Sequence, residues 1–359
     1  MATLFETFEI NPHLILKNRI VIPPMCQYSA KDGFANNWHL VHLGARAVGG
    51  AAAIIQEATA VSPEGRISYG DLGIWKDEHI AALKPITEFL RSQNCVPGIQ
   101  LAHAGRKAST EIPWKGRKQL RPDEKNGWQT VSSSSLAFQE GEVPPLALTI
   151  AQIQEVINDF AEATRRAVLA GYEIIEIHAA HGYLIHQFLS PLINQREDPY
   201  GGSFDNRIRL LLEIVDAVKQ YLTTQSLWVR ISATDWAEDG WDLEQSIALC
   251  HKLKEAGVEV MDISSGGAVV HQEIKEEKNY QVPFAKKIKA QTGMITATVG
   301  LIFEPEQAEE IIKNQEADLV MIGRESLRDA EFALNAAKKL GVDINWPNQY
   351  LRAKTNRFL

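Results

Sequence analysis

The sequence predicts an α/β fold, a (β/α)8 TIM barrel, and three observations lead there. Eight short apolar runs recur along the chain: Arg19–Met25, Ala52–Ala58, Val96–His103, Tyr172–His178, Leu227–Ser232, Val258–Ser264, Met294–Val299 and Asp318–Gly323. Most are followed by a stretch of helical periodicity, and alternating strands and helices build a parallel sheet. Eight repeats favour closure into a barrel over an open sheet. The rival, a doubly wound dinucleotide-binding sheet, would need Gly-x-Gly-x-x-Gly after its first strand, and the chain has no such motif.

Taken in order, the helical stretches are Asp77–Arg91, Thr149–Ala170, Phe204–Tyr221, Leu243–Ala256, Pro305–Lys313 and Leu327–Leu340. Thr149 with Gln152 three residues on forms a capping-box pattern, and Gly171 stands where that long helix must stop. One segment breaks the rhythm. Residues 104–148, rich in Pro, Trp, Gly and Ser, follow the third strand, and a connection of that length inside one domain is expected to be a lid or binding loop, with Trp114 and Trp128 shaping its packing. The whole chain, 1–359, is expected to be a single domain with a C-terminal tail at 341–359.

Composition excludes several classes of function. A net charge of -8, a pI near 5.7 and the lack of any Lys/Arg block argue against a nucleic-acid surface. The 3 cysteines, Cys26, Cys95 and Cys250, are far apart and offer neither a disulfide framework nor a Cys-x-x-Cys site. No apolar stretch is long enough to span a bilayer and no leader pattern is present, so a cytoplasmic location without membrane partners is expected.

The chemistry gathers at strand ends. Ile174-Ile-Glu-Ile-His178-Ala-Ala-His181-Gly-Tyr183 is a buried-strand pattern that delivers two imidazoles and a phenol to the C-terminal mouth, where catalytic groups of such barrels collect. The first strand ends in Pro23-Pro24-Met25-Cys26-Gln27-Tyr28, and Tyr28 offers both a ring and a hydroxyl. Arg230, inside an apolar strand, must either meet a carboxylate or serve an anionic ligand. Gly300, Gly323 and Arg324 end the last two strands, where barrels commonly hold a phosphate. Two histidines three apart also suit zinc, yet a first-strand His-x-His or further ligands are lacking, so no metal is expected. Glu57 and Glu176 are read as the strand carboxylates, and no inward lysine stands ready for a Schiff base, which weighs against a phosphate-binding aldolase or isomerase. A barrel that merely stores a ligand would need no proton donor such as Tyr183.

Together, Pro24-Met25-Cys26-Gln27-Tyr28, Glu57-Ala58-Thr-Ala-Val, Gly98-Ile-Gln100-Leu-Ala-His103-Ala-Gly-Arg-Lys107, His178-Ala-Ala-His181-Gly-Tyr183, Asp198-Pro-Tyr-Gly-Gly-Ser203, Asn206-Arg207 and Gly323-Arg324 resemble the Old Yellow Enzyme family over almost the whole chain. Cys26, Tyr28 and His181 are similar to the bacterial branch of thermophilic-type ene reductases and xenobiotic reductases. The resemblance implies non-covalent FMN, NADPH or NADH as hydride donor, and ping-pong reduction of enones and enals. It implies that Pro23, Pro24, Met25, Cys26, Ala58, Gln100 and Arg230 hold the flavin ring while Gly300, Gly323 and Arg324 hold its phosphate. His178, His181 and Tyr28 would bind the substrate, and Tyr183 would supply the proton. It further implies a homodimer or homotetramer in which Arg352, near the end of the tail, reaches a neighbouring subunit's site.

Overall fold

Each of the eight apolar runs forms one strand of a closed parallel barrel, with strands Ile20–Ile22, Ala53–Ala60, Val96–Ala102, Ile174–Ala179, Ser226–Ser232, Val260–Ser264, Ile295–Thr298 and Leu319–Met321 pairing in sequence order and the last returning to the first. This is the (β/α)8 TIM barrel. The structure is a computed structural model that describes residues 3–354. Among the described residues no helix is long and apolar enough to cross a membrane.

Local signals in the sequence act as expected. Thr149 and Gln152 form the reciprocal capping box of the helix Ile150–Ala170, and Gly171 ends it at φ +94°, a conformation open to glycine. The stretch Leu327–Leu340 is a correction. It is two helices, Arg324–Arg328 and Phe332–Lys339, because the Asp329 carboxylate accepts from the Glu331 N–H and turns the chain between them.

Inward residues alternate along each strand, so position along the barrel axis can be read in steps of two. At the N-terminal end lie Ile174, Trp228 and Val260, of which Trp228 and Val260 are register partners and all three share one buried cluster. They are closed off by a hairpin that the apolar runs did not announce, Phe8–Asn11 paired antiparallel with Leu14–Leu16. Its Ile10, Leu14 and Leu16 join Val21, Ile55, Ile174, Trp228, Val260 and Leu319 in one buried cluster. Burying each of these hairpin side chains contributes about 1.5–3 kcal/mol. The barrel is thereby a plugged core, and its chemistry is confined to the other end.

The segment 104–148 is held by short pieces of its own structure, including the parallel pair Val131–Ser132 with Leu146–Ala147. Trp114 is exposed with its ring edge-on to Tyr28 at 6.3 Å, while Trp128 donates from Nε1 to the Glu64 carbonyl at 2.9 Å. The tail runs the other way. Residues 343–349 lie along a groove with Lys17, Asn18, Gly50, Gln93 and Asn94, at the N-terminal ends of the first three strands.

Candidate active site

Two residues above the apolar floor, the same strands carry charge. Gln100 and Glu176 are cross-strand neighbours, and Gln100 Nε2 donates to Glu176 Oε1 at 2.7 Å. Arg230 and Asp262 are likewise register partners, with Nε and Oδ2 3.0 Å apart. All four side chains are buried. Burial pushes the Glu176 carboxyl up, and the neighbouring Asp262 pushes it further, while Arg230 opposes both. Glu176 therefore keeps a proton that it shares with Asp262, and Asp262 carries the charge that balances Arg230. Asp262 corrects the sequence reading of strand carboxylates, which had only Glu57 and Glu176. The signal was present, a lone acid in Val-Met-Asp-Ile-Ser, and it is the same signal that singled out Arg230.

One further step along the axis stand His178, Ser232 and Ser264. His178 Nδ1 accepts from the Ala180 N–H at 3.3 Å, which leaves Nε2–H as the free donor. His181 Nε2 meets Ser264 Oγ at 2.7 Å, and the His181 N–H donates to Ser232 Oγ at 2.9 Å. The rings of His178 and His181 lie 5.1 Å apart, and the Tyr183 ring is 5.0 Å from His178. The turn that brings them together is strained, with His181 at φ +58° and Gly182 at +70°. A Cβ on Gly182 would come within 2.1 Å of the Gly267 carbonyl oxygen, so this close crossing of two loops requires glycine.

Burial, reinforced by Arg230, holds both imidazoles well below the usual histidine range, so they are neutral donors. Burial pushes the Tyr183 phenol up, and it stays protonated at neutral pH. Tyr183 packs with Ala58, Cys26 and Tyr28 in one cluster. Burial and the nearby Asp71 and Glu57 also push the Cys26 thiol up, so it is no thiolate nucleophile. Beneath the first-strand tip, Glu57 accepts from the Gln27 N–H and meets His39 Nε2 at 3.1 Å, an anchor for the Pro23–Tyr28 loop that the sequence reading missed.

A second set faces a cavity of about 220 Å³ lined by Pro23, Pro24, Met25, Arg230, Gly300, Gly323 and Arg324, together with Tyr280. Arg324 makes no ion pair among the described residues. A Cβ on Gly323 would have only Pro23 Cγ at 3.5 Å and Met25 Sδ at 4.0 Å for neighbours, so its backbone is open on the cavity side. An unpaired guanidinium beside open glycine backbone at one end and a charge-balanced Arg230 at the other fit a ligand with a phosphate and a polar ring. Ala58 and Gln100 stand on the second and third strands and are not among the residues that line it. Arg352 is the one predicted site residue that the single chain does not bring here: it follows the tail at the opposite end of the barrel and is exposed.

Comparison with known proteins gives the family and the fold. The model of the NADH:flavin oxidoreductase / NADH oxidase family matches residues 3–343. The chain belongs to that family, the Old Yellow Enzyme family. It is 47% identical to an NADPH dehydrogenase of Listeria monocytogenes serotype 4b (strain CLIP80459) over 98% of this chain and 99% of that one. It is also 47% identical to an NADPH dehydrogenase of Bacillus subtilis (strain 168), over 94% and 96%. Morphinone reductase superposes with a TM-score of 0.79 at 26% identity, covering 97% of this chain and 92% of that one. A 2-naphthoyl-CoA reductase complex has a TM-score of 0.83 at 22% identity, and this chain spans 52% of its length, a likeness of fold alone. The oxidoreductase is thus an NAD(P)H-dependent flavoenzyme with FMN as its cofactor.

Proposed function

We propose that this oxidoreductase reduces the activated C=C bond of α,β-unsaturated carbonyl compounds, small enones and enals. The observation that carries the reading is the cluster of His178, His181 and Tyr183, two neutral imidazoles and a protonated phenol within 5.1 Å ring to ring at the mouth. When bound, FMN supplies the hydride that it has taken from NAD(P)H. Pro23, Pro24, Met25 and Arg230, which line the cavity, would hold its ring with Cys26, Ala58 and Gln100 from outside that lining, and Gly300, Gly323 and Arg324 would hold its phosphate.

His178 Nε2–H and His181 receive the substrate carbonyl oxygen, where negative charge grows as the double bond is polarised, so fixed donors stabilise the transition state more than the ground state. For His181 to donate from Nδ1, Ser264 must direct its one hydroxyl hydrogen into Nε2 at 2.7 Å rather than to Gln281 Oε1 at 3.3 Å, which makes Ser264 a tautomer-setting residue. Tyr183 gives its proton to the α-carbon. Tyr28, edge-on to Trp114, covers the substrate, and the 104–148 segment acts as the lid. Arg352, placed away from its own mouth, serves a neighbouring subunit in a homodimer or homotetramer.

The anaerobic visible spectrum tests this reading. The flavin band should bleach with NADPH and return when cyclohexenone is added. A bleached flavin that stays bleached under cyclohexenone would sink the proposal while leaving the flavoenzyme intact.

A further inference from the structure

A neutral enone over the histidines leaves a second feature of the mouth unused. Tyr183 also lines a cavity of about 320 Å³ whose other walls come mostly from the 104–148 segment, Arg106, Lys107, Arg117, Phe138 and Glu142 among them. Three cations face one carboxylate there. The Arg106 guanidinium is tied to backbone, donating to the carbonyls of Leu136, Ala137 and Ala268 at 3.2, 3.3 and 2.8 Å. Among the described residues Lys107 Nζ has only neutral acceptors, the carbonyls of His181 at 2.8 Å and Gly267 at 2.9 Å. Its ammonium also lies 5.3 Å from the Tyr183 ring centroid and 4.5 Å from that of Phe138.

Arg117, an exposed loop residue, lines the same cavity as Tyr183 and makes no ion pair among the described residues. Glu142 makes none with these cations either, and its carboxylate is turned to the Gln139 N–H at 3.2 Å. Burial, with Arg117 and Arg106 adding to it, lowers Lys107 to about 7. A buried ammonium with carbonyls but no counter-ion is held at a cost that an incoming anion would remove.

We propose that this cavity is an anion subsite, in which Lys107 and Arg117 receive the carboxylate or phosphate oxygens of a ligand whose reactive end lies at His178 and His181. The inference rests on the enone reading for the position of that reactive end. Two sources supply such oxygens: a carboxylate on the alkene substrate itself, or a phosphate of the nicotinamide dinucleotide. Either would pass along the Tyr183 ring, between the histidines and the two cations. A guanidinium and an ammonium closing on one anionic group give a charge-assisted contact, expected to favour the charged ligand by about tenfold or more.

Calorimetric titration of the FMN-loaded protein with 3-oxocyclohexane-1-carboxylate and with cyclohexanone, neither of which has a double bond to reduce, reads the subsite without turnover. A substrate carboxylate predicts tighter binding of the charged ketone by about tenfold, a ratio that falls towards one in Arg117→Gln. Lys118→Gln, which alters a neighbouring exposed cation paired with Glu124 at 3.6 Å, should leave the ratio as it is. The phosphate arm compares flavin reduction by NADPH and by the phosphate-free donor 1-benzyl-1,4-dihydronicotinamide. Weaker binding of NADPH alone in Arg117→Gln assigns the subsite to the dinucleotide. If neither ratio responds to Arg117→Gln, the subsite is overturned, even where cyclohexenone reoxidises the flavin. If cyclohexenone fails but a ratio responds, the enone reading falls and the anion subsite stands.

Discussion

The two ends of the barrel interior are built from the same strands and differ by one or two steps of two residues. Ile174, Trp228 and Val260 form a dry floor, closed by Ile10, Leu14 and Leu16. Two residues on, Glu176, Arg230 and Asp262 form a charged layer, and beyond them His178, Ser232 and Ser264 reach the mouth. Four residues, about 13 Å along the strands, therefore separate side chains that hold the barrel together from side chains that act on a ligand at the mouth. The difference teaches where a substitution should be felt: stability at the floor, chemistry at the mouth, and both in the layer between.

The sharpest test is at the mouth. Tyr183→Phe removes a hydroxyl and leaves the ring that packs with Ala58, Cys26 and Tyr28. Reoxidation of the flavin by cyclohexenone should slow by about 10²–10⁴, with reduction by NADPH and the melting temperature close to those of the wild type. Stopped-flow measurement of the two half-reactions checks this. Equal loss in both would mean that Tyr183 shapes the site rather than donating a proton.

Asp262→Ala should be felt in both respects. It strands the buried Arg230 charge, at a cost of about 3–5 kcal/mol, and it removes the acceptor of the Glu176 proton. Denaturation should show that loss, and FMN should be held less tightly in a fluorescence titration, since Arg230 also lines the cavity on that side. At the floor, Leu16→Ala should cost about 2–4 kcal/mol and leave the half-reactions of the surviving folded protein as they were. A change in turnover from Leu16→Ala would break the separation between the two ends.

The floor and the barrel were legible in the sequence because they depend on a pattern of period two and on the alternation of strand with helix. All eight apolar runs became strands, and the ends carrying His178, His181 and Tyr183 converged as the motif implied. What escaped depends on contacts between distant segments. Asp262 was passed over although the logic used for Arg230 applied to it equally, and the pairing is visible only once the register is known. The hairpin at Phe8–Leu16 has strands of only 4 and 3 residues, too short to announce themselves, and it is stable because the barrel receives it. Arg117 lies in a loop, and nothing in Lys-Gly-Arg-Lys says that the third residue will line one cavity with Tyr183. Loop geometry is set by tertiary contacts rather than by local preference, and the sequence leaves it open.

The smallest effect concerns the proton in the charged layer. Because burial and Asp262 raise the Glu176 carboxyl above its unfolded value, the folded protein binds more protons than the unfolded one between those two values. Stability from this group is fully present below the unfolded value and is lost as pH rises through the folded one. Glu176→Gln keeps a donor of similar shape and has nothing to titrate. Its stability should therefore fall less steeply than that of the wild type across this window, by at most about 1.4 kcal/mol per pH unit, the value for one proton. Raised carboxyls away from the pair, such as Asp71 at about 7, titrate in both proteins and cancel in the difference, so what the comparison reads is the shared titration of Glu176 and Asp262. Urea denaturation of the pair from pH 5 to pH 8 measures it. Parallel curves would place the shared proton elsewhere and leave Asp262 alone to answer for the balance of charge around Arg230.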